Sequence, residues 1–390
     1  MRGHHRADVA IVGGGITGAL VAEAFAREGV SVAVLEAGRI GRGSTAASSA
    51  LLLREPDRSL ITLTERYGRT AAKRIWQLCH RGVDDLVSTL HRLRISCSLS
   101  THDAIYFATT AEAARLRREL ERRHDDGLGG RWLTPCALHR ATGIVGYGGI
   151  RTTGHAQLNP YDACVGLFQA AARAGASIFE HSTVRRIRRD ATGVRLDTSE
   201  GTVHAAKVVI ATGYATPQFR PLAGRFTMYR TYVVATPPLD AARRRRTGLR
   251  SVMAWDTERP YHYVRWTPDR RILFGGGDRR VVPGVRRTAQ FSQAVTELQE
   301  RLGATFPALH DVDLDRAWEG LFAMTPDGLP YIGAHRRYPE HLFALGYGGN
   351  GMTFSCLAAR FLLEQWKGIR SPDHELFGFG RASRRPPHGG

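Results

Sequence analysis

The chain has 390 residues, 43% apolar and 23% charged, which suits two or three folded domains and excludes a fibrous or wholly disordered protein. No run of about 18 apolar residues occurs, so no membrane span is expected. The net charge of +19 comes from 55 Lys+Arg against 36 Asp+Glu, but the basic pairs are scattered over the whole chain rather than gathered in one patch, so nucleic acid is not an expected partner.

Other compositional features narrow the class further. Only four apolar residues precede the first glycine turn, too few for a signal-peptide core, and a cytoplasmic location is expected. The five cysteines are odd in number and include no C-x-x-C, which argues against a disulfide framework or a zinc site. The histidines show no ligand spacing, so no metal is assigned. The run Arg243–Arg246 is either coding bias or a local anion-attracting loop.

Along the chain, "DVAIVGGGITGALVAEAFAREGVSVAVLEAG" (8–38) reads as strand Val9–Val12, helix Ile16–Glu28 and strand Val32–Leu35. Gly13, Gly15 and Gly18 have G-x-G-x-x-G spacing. The first permits a tight turn, the second lets a pyrophosphate approach the backbone, and the third lets helix and strand pack closely. The helix start at Ile16 and Thr17 offers free N–H groups to phosphate. Glu36, ending the second strand, suits ribose hydroxyls and argues against a 2′-phosphate.

Residues 60–93 read as two helices, and "DAIYFATTAEAARLRREL" as a strand followed by a charged helix. Helix Tyr161–Arg173, strand Ser177–Glu180 and a hairpin around "DTSEGTV" follow, then strand Val208–Ala211. Residues 220–315 are richer in β-type patterns, with "YHYVRW" and "RRILFGG" as paired strands. "HLFALGYGGNGMTFSCLAARFLLEQWKG" reads as strand, glycine loop and helix. The last stretch is a Pro/Gly-rich tail, expected to be disordered at least in part.

Several segments occur jointly: "EAGRIGRGSTAASSALL", "NPYDACVGLFQAAARAGA", "STVRRI", "ATGYATP", "PYHYVRWTPDRRILFGGGD", "WEGLFAMTPDGLPYIG" and the C-terminal glycine loop. With the N-terminal motif they resemble the FAD-dependent amine and amino-acid oxidoreductases of the D-amino acid oxidase superfamily, on the glycine oxidase and sarcosine oxidase side. The resemblance implies an α/β fold: a Rossmann-type FAD-binding domain (7–90, 151–218 and 318–370) with an interleaved mixed-sheet α+β substrate domain (91–150 and 219–317). Residues 371–390 form the tail.

It also implies cofactor contacts at Gly13, Gly15, Ile16, Thr17, Gly18 and Glu36, at Ser44 and Thr45, at Val184 and at Gly213. The loop Gly348, Gly349, Asn350, Gly351, Met352 and Thr353 is expected to face the flavin pyrimidine ring, where fixed donors raise electron affinity. Gly320 and Ala47 stand where relatives carry attaching cysteine or histidine, so FAD is expected to be non-covalent. Thr353 and Leu273 stand where sarcosine oxidases carry lysines.

For the substrate, Arg54 lies close to where a relative keeps a carboxylate-binding arginine. Tyr263 and Arg265 share one face of a strand, with His262 on the other. A guanidinium beside a phenol suits a carboxylate, and Tyr106 is a further candidate. The expected reaction is oxidation of the C–N bond of an amine or amino acid by hydride transfer to flavin N5. The alternatives are an FAD-dependent hydroxy-acid oxidase or dehydrogenase, and a basic flavin-binding protein with an anionic partner.

Overall fold

The computed structural model describes residues 1–110, 112–190 and 192–381. Two sheets divide the chain. The first runs in the order Tyr331–His335, Tyr338–Leu345, Gly201–Gly213, Gly3–Val12, Val32–Leu35, Ser177–Phe179, with the hairpin of Arg186–Asp190 and Gly193–Asp197 on the long strand Gly201–Gly213. Its central pairings are parallel. Val9, Ala10 and Ile11 lie between two parallel neighbours and are fully buried, which is why this segment reads as an unbroken apolar run. The strand begins earlier than the sequence suggested, because Gly3–Ala7 pair with Gly201–Ala205.

Helix Ile16–Arg27 packs on Pro160–Arg173 and Gly351–Trp366. Together they cover one face of the sheet with a core that includes Phe25, Phe168, Phe354 and Phe361. Residues 60–92 form two helices, Leu60–Tyr67 and Arg69–Arg92, broken where Gly68 takes φ +79°.

The second sheet runs Arg316–Met324, Thr227–Ala235, Ile272–Arg280, His262–Trp266, Val252–Asp256, Ser100–Phe107, Gly149–Gln157, Leu51–Leu52, with Arg131–Leu133 on Gly149–Gln157. All pairings are antiparallel except Val252–Asp256 on Ser100–Phe107. The fold is thus α/β with an interleaved mixed sheet.

The structure adds detail to four sequence expectations. The boundaries at 151 and 318 fall inside strands Gly149–Gln157 and Arg316–Met324, both of which belong to the second sheet. Within the β-rich region, Arg287–Thr305 is a helix that buries Ala294, Leu298 and Leu302 on the far face of that sheet. The arginine run is no loop but the end of helix Ala241–Thr247, capped by Asp240; Arg243 pairs with Asp311 at 3.0 Å, and the cations sit at the end a helix dipole favours.

The tail is ordered as far as it is described. Helix Pro372–Phe377 buries Phe377. Arg381 lies against Asp327 at 2.9 Å, spans the ring of Tyr331 at 4.0 Å and donates to the carbonyls of Pro330 and Phe377. The rest of the tail lies outside the described residues. Among the described residues, no helix is long and apolar enough to cross a membrane.

Candidate active site

The glycines of the first turn do what their spacing requires. Gly13 has φ +118°, and a Cβ there would meet Ala211 O at 2.5 Å; a Cβ on Gly18 would lie 2.0 Å from Gly13 O. The helix that follows has Gly15 at its N-cap with no side-chain cap from that residue, so the amides of its first turn beyond Ile16 are available to an anion. The Ile16 amide donates to Thr45 Oγ1 at 3.0 Å, and Thr17 Oγ1 lies 2.8 Å from Ser355 Oγ.

Around this turn the other expected cofactor residues gather. Glu36 accepts from the Gly14 and Gly38 amides at 2.6 and 2.7 Å, which fixes its carboxylate at the end of its strand. Ser182 N donates to Glu36 O, carrying the chain past Val184, whose carbonyl accepts from Gln218. Ser44 donates to Leu321 O at 2.5 Å, and Gly213 takes φ +80° with its carbonyl accepting from Gly346. A glycine turn, an uncapped helix start and a strand-end carboxylate form a cradle fitted to the pyrophosphate and ribose of FAD.

A cavity of about 570 Å³ begins with Ser48 and Ser49, just past the helix Ser44–Ala47. One wall is the inner face of the second sheet, with Tyr106, Tyr261, Tyr263 and Asp278. The other is segment 48–62 together with Gly349, Asn350 and Met352. Here Gly348 takes φ +60°, and the loop runs close to the opposite wall: a Cβ on Gly348 would meet Asp57 Oδ2 at 2.6 Å, and one on Gly349 the Tyr261 hydroxyl at 2.7 Å. Helix Gly351–Trp366 starts at this wall without a side-chain cap.

Not every loop residue faces the cavity with a free polar group. Asn350 turns its amide to Glu55 O at 2.7 Å, and the buried Thr353 hydroxyl lies 3.0 Å from Leu53 O. Both therefore tie the loop to segment 53–55. Gly320 and Ala47 are neighbours, with 3.3 Å between a Cβ built on Gly320 and the Ala47 Cβ, and no cysteine or histidine lines the cavity among the described residues. Leu273 packs with Val233, Ala235 and Tyr263.

The substrate candidates separate. Tyr106 lines the cavity, stacked on Trp255 with 5.3 Å between ring centres. Tyr263 lines it too, in space left by Gly275, where a Cβ would lie 2.5 Å from its hydroxyl. Burial pushes its phenol up to about 12. His262 does point to the opposite face, stacked on Phe274.

The two arginines do not reach the cavity. Arg54 pairs with Asp84. Arg265 is on the same face as Tyr263 but is only 5% exposed, donating to Ser49 O at 2.6 Å and Trp266 O at 3.1 Å. Burial pushes its guanidinium down to about 10. It props the main chain that forms the cavity wall. Period two places a residue on a face, but not at a given depth or with a given partner.

What sequence reasoning missed is acidic. Asp57 accepts from the Gly349 amide at 2.7 Å. Burial pushes its carboxyl up to about 6, against the Gly349 N–H, Arg58 and Arg259. Asp278 is likewise pushed up to about 6 by burial, with Asp57 adding and Thr231 opposing. Its Oδ1 is buried without a hydrogen-bond partner. Between them Tyr261 is held well above its ordinary value by burial and both carboxylates, so it is a neutral donor. Deeper, Arg123 bridges Glu55 at 2.8 Å and Glu119 at 3.0 Å. Burial works against the Glu55 carboxylate, but Arg123 beside it holds it below the usual range.

One side-chain cluster elsewhere has ligand-like chemistry. Asp256, Glu258 and His262 bring ligand atoms within 4.8 Å of one another, but Arg301 already pairs with Glu258.

Fold and site together define a flavin-dependent oxidoreductase. The family model of FAD dependent oxidoreductases termed DAO matches residues 8–365, and the chain belongs to that family. It is 28% identical to gamma-glutamylputrescine oxidoreductase of Escherichia coli, over 97% of this chain and 89% of that one. It is also 28% identical to glycine oxidase of Geobacillus kaustophilus, over 90% and 91%. The crystal structure of glycine oxidase from that organism superposes with a TM-score of 0.82 at 25% identity, covering 99% of this chain and all of the other.

Proposed function

We propose that this chain oxidises the C–N bond of a small amine to an imine, which water hydrolyses to a carbonyl compound. FAD, when bound, would supply the two-electron acceptor for that oxidation. On this reading Gly13, Gly15, Ile16, Thr17, Gly18 and Glu36 hold the dinucleotide half without a covalent bond, and Gly349–Met352 meets the ring system. The protein's contribution is then orientation and electrostatics. Tyr261 and Tyr263 keep their protons and act as fixed donors. The aromatic walls exclude water, and Arg265 and Asn350 hold the two main-chain segments that set the width of the site.

The observation that carries this reading is the charge of the cavity. Five carboxylate residues line it against four arginines, one of which, Arg123, is held between Glu55 and Glu119, and Arg54 and Arg265 are engaged elsewhere. A hydroxy acid would bring a further negative charge to Asp57 and Asp278, whereas an amine arrives as its ammonium and can pass on its proton before it is oxidised. The relatives' names, for glycine and for gamma-glutamylputrescine, both denote substrates with an amine nitrogen. The test is an anaerobic spectral titration of the flavoprotein with amines, amino acids and hydroxy acids. Bleaching by amines is expected, and bleaching by hydroxy acids alone would overturn the reading. Admitting air afterwards separates oxygen from other electron acceptors.

A further inference from the structure

We propose that the cavity selects an amine that carries a second, permanently protonated amine and no neighbouring carboxylate, an alkane diamine or longer polyamine, with Asp278 and Asp57 as the acceptors of that second charge. This rests on the reading of the chain as an amine oxidoreductase and names its substrate class.

The first ground is the charge count. Five carboxylate residues and four arginines line the cavity, in a chain where Lys+Arg outnumber Asp+Glu 55 to 36. The site reverses the sign of the protein around it.

The second ground is where the arginines go. Arg123 is clamped between Glu55 and Glu119. Arg259 donates to Glu258 O and, with Arg58, faces Asp57. Arg115 is exposed on helix Ala113–Asp125, at the rim. Arg58 and Arg259 thus stand on the Asp57 side of the cavity, and among the described residues no guanidinium pairs with Asp278. Asp278 is the acid without an ion pair: Thr231 gives it a hydrogen bond, His262 acts on it only through space from the far face of its strand, Asp57 repels it, and its buried Oδ1 has no partner. A buried carboxyl in that position holds its charge poorly until a cation arrives.

The third ground is chemical. The nitrogen that is oxidised must give up its proton before its carbon can release a hydride, so it cannot be the lasting counter-ion of a carboxylate. The charge that Asp278 and Asp57 match belongs to another group of the same substrate. The walls suit such a chain. Tyr106 stacks on Trp255 and Tyr229 on Phe322, at 5.3 and 5.7 Å between ring centres. Rings of this kind accept methylene groups and the face of an ammonium alike.

The test compares three probes of equal carbon reach on the flavin-loaded enzyme: 1,4-diaminobutane, n-butylamine and 2-aminopentanoate. Binding is read from perturbation of the flavin spectrum, and turnover from anaerobic bleaching. The diamine is expected to bind about 10-fold or more tighter than the monoamine, an advantage of the size a buried charge pair provides, and the amino acid weakest. Asp278→Asn should reduce that advantage to less than about 2-fold, and Asp278→Glu should restore part of it. Retained flavin absorbance certifies that each variant is folded.

Equal binding of diamine and monoamine, or tightest binding of the amino acid, overturns the proposal while leaving amine oxidation standing if either bleaches the flavin. Tight, Asp278-dependent diamine binding without bleaching supports the acid pair as a cation site and overturns amine oxidation instead.

Discussion

The amide of Gly349 donates to Asp57 Oδ2 across 2.7 Å, joining residues 292 positions apart in the sequence. That bond anchors the glycine loop to the acid segment opposite the second sheet. It also leaves Asp57 with one face toward Tyr261 and the other toward Arg58 and Arg259. The electrostatics of the cavity follow from this junction, and so does its response to pH.

Binding of a cation should switch on with ionisation of this pair. Asp57 and Asp278 both titrate near 6, raised by burial. The groups facing them are Arg58, Arg259, Tyr261, Thr231 and His262. A bis-quaternary diammonium, which has no proton of its own to lose, should bind well at pH 8 and progressively less below pH 6. Binding that is flat from pH 8 to pH 5 would show that these carboxyls do not meet the ligand.

The same shift has a cost for the ligand-free protein. Carboxyls raised above their unfolded value favour the folded state while protonated, below about pH 4, and lose that contribution as pH rises through about 6. Asp278→Asn removes the buried charge and should stabilise the protein by about 1–3 kcal/mol at pH 8. The gain should shrink toward pH 5. Denaturant unfolding at the two pH values measures it.

Arg54 and Arg265 should behave differently from each other and from carboxylate-binding residues. Arg54 forms a partly exposed pair with Asp84, so Arg54→Gln should change stability by no more than about 1 kcal/mol. It should also shift KM for an accepted substrate by less than about 3-fold; a larger rise, seen only for carboxylate-bearing substrates, would return Arg54 to the site. Arg265→Met leaves the Ser49 and Trp266 carbonyls without their donor. It should cost about 1–3 kcal/mol and loosen the cavity wall.

Gly18→Ala places a Cβ 2.0 Å from Gly13 O, and neither main chain can give way without opening the cradle. Purified protein should carry little or no FAD, read from the ratio of flavin to protein absorbance. Flavin that does load into the parent protein should come off on acid precipitation. Flavin retained in the acid pellet would place a covalent link where none is expected.

Arg381 and Asp327 are both buried and joined at 2.9 Å, and the guanidinium also serves the carbonyls of Pro330 and Phe377. Burial opposes the Asp327 carboxylate, but Arg381 holds it well below the usual range. Its contribution is present above the unfolded value and is lost as pH falls toward the folded one. Arg381→Ala should destabilise by about 3–5 kcal/mol, because it strands a buried carboxylate. A fall below about 1 kcal/mol would mean that the end of the chain is not anchored.

Much of the nucleotide half was legible because its constraints are local. Gly13, Gly15 and Gly18 act within one turn, and Val9–Ile11 are buried on both sides, so spacing and apolarity report them directly. Helix Arg287–Thr305 was not legible. Only Ala294, Leu298 and Leu302 are buried along its length, a stripe too thin to stand out against neighbouring strands. Asp57 and Asp278 carry no local signal at all. One follows a proline in an irregular segment and the other ends a glycine run, and they acquire meaning only when the second sheet folds over segment 48–62. Arg265 lies behind the cavity wall although it shares a face with Tyr263, because face and depth are separate quantities.

The two uncapped helix starts, after Gly15 and after Asn350, lie at opposite ends of the chain, and the strand between their sheets' edges, Gly201–Gly213, pairs with both terminal strands. A ribosome therefore releases the first half of the flavin's cradle long before the second half exists. The cradle is complete only once residues 338–345 and 351–366 have been added, so a fragment that ends before them should not retain FAD.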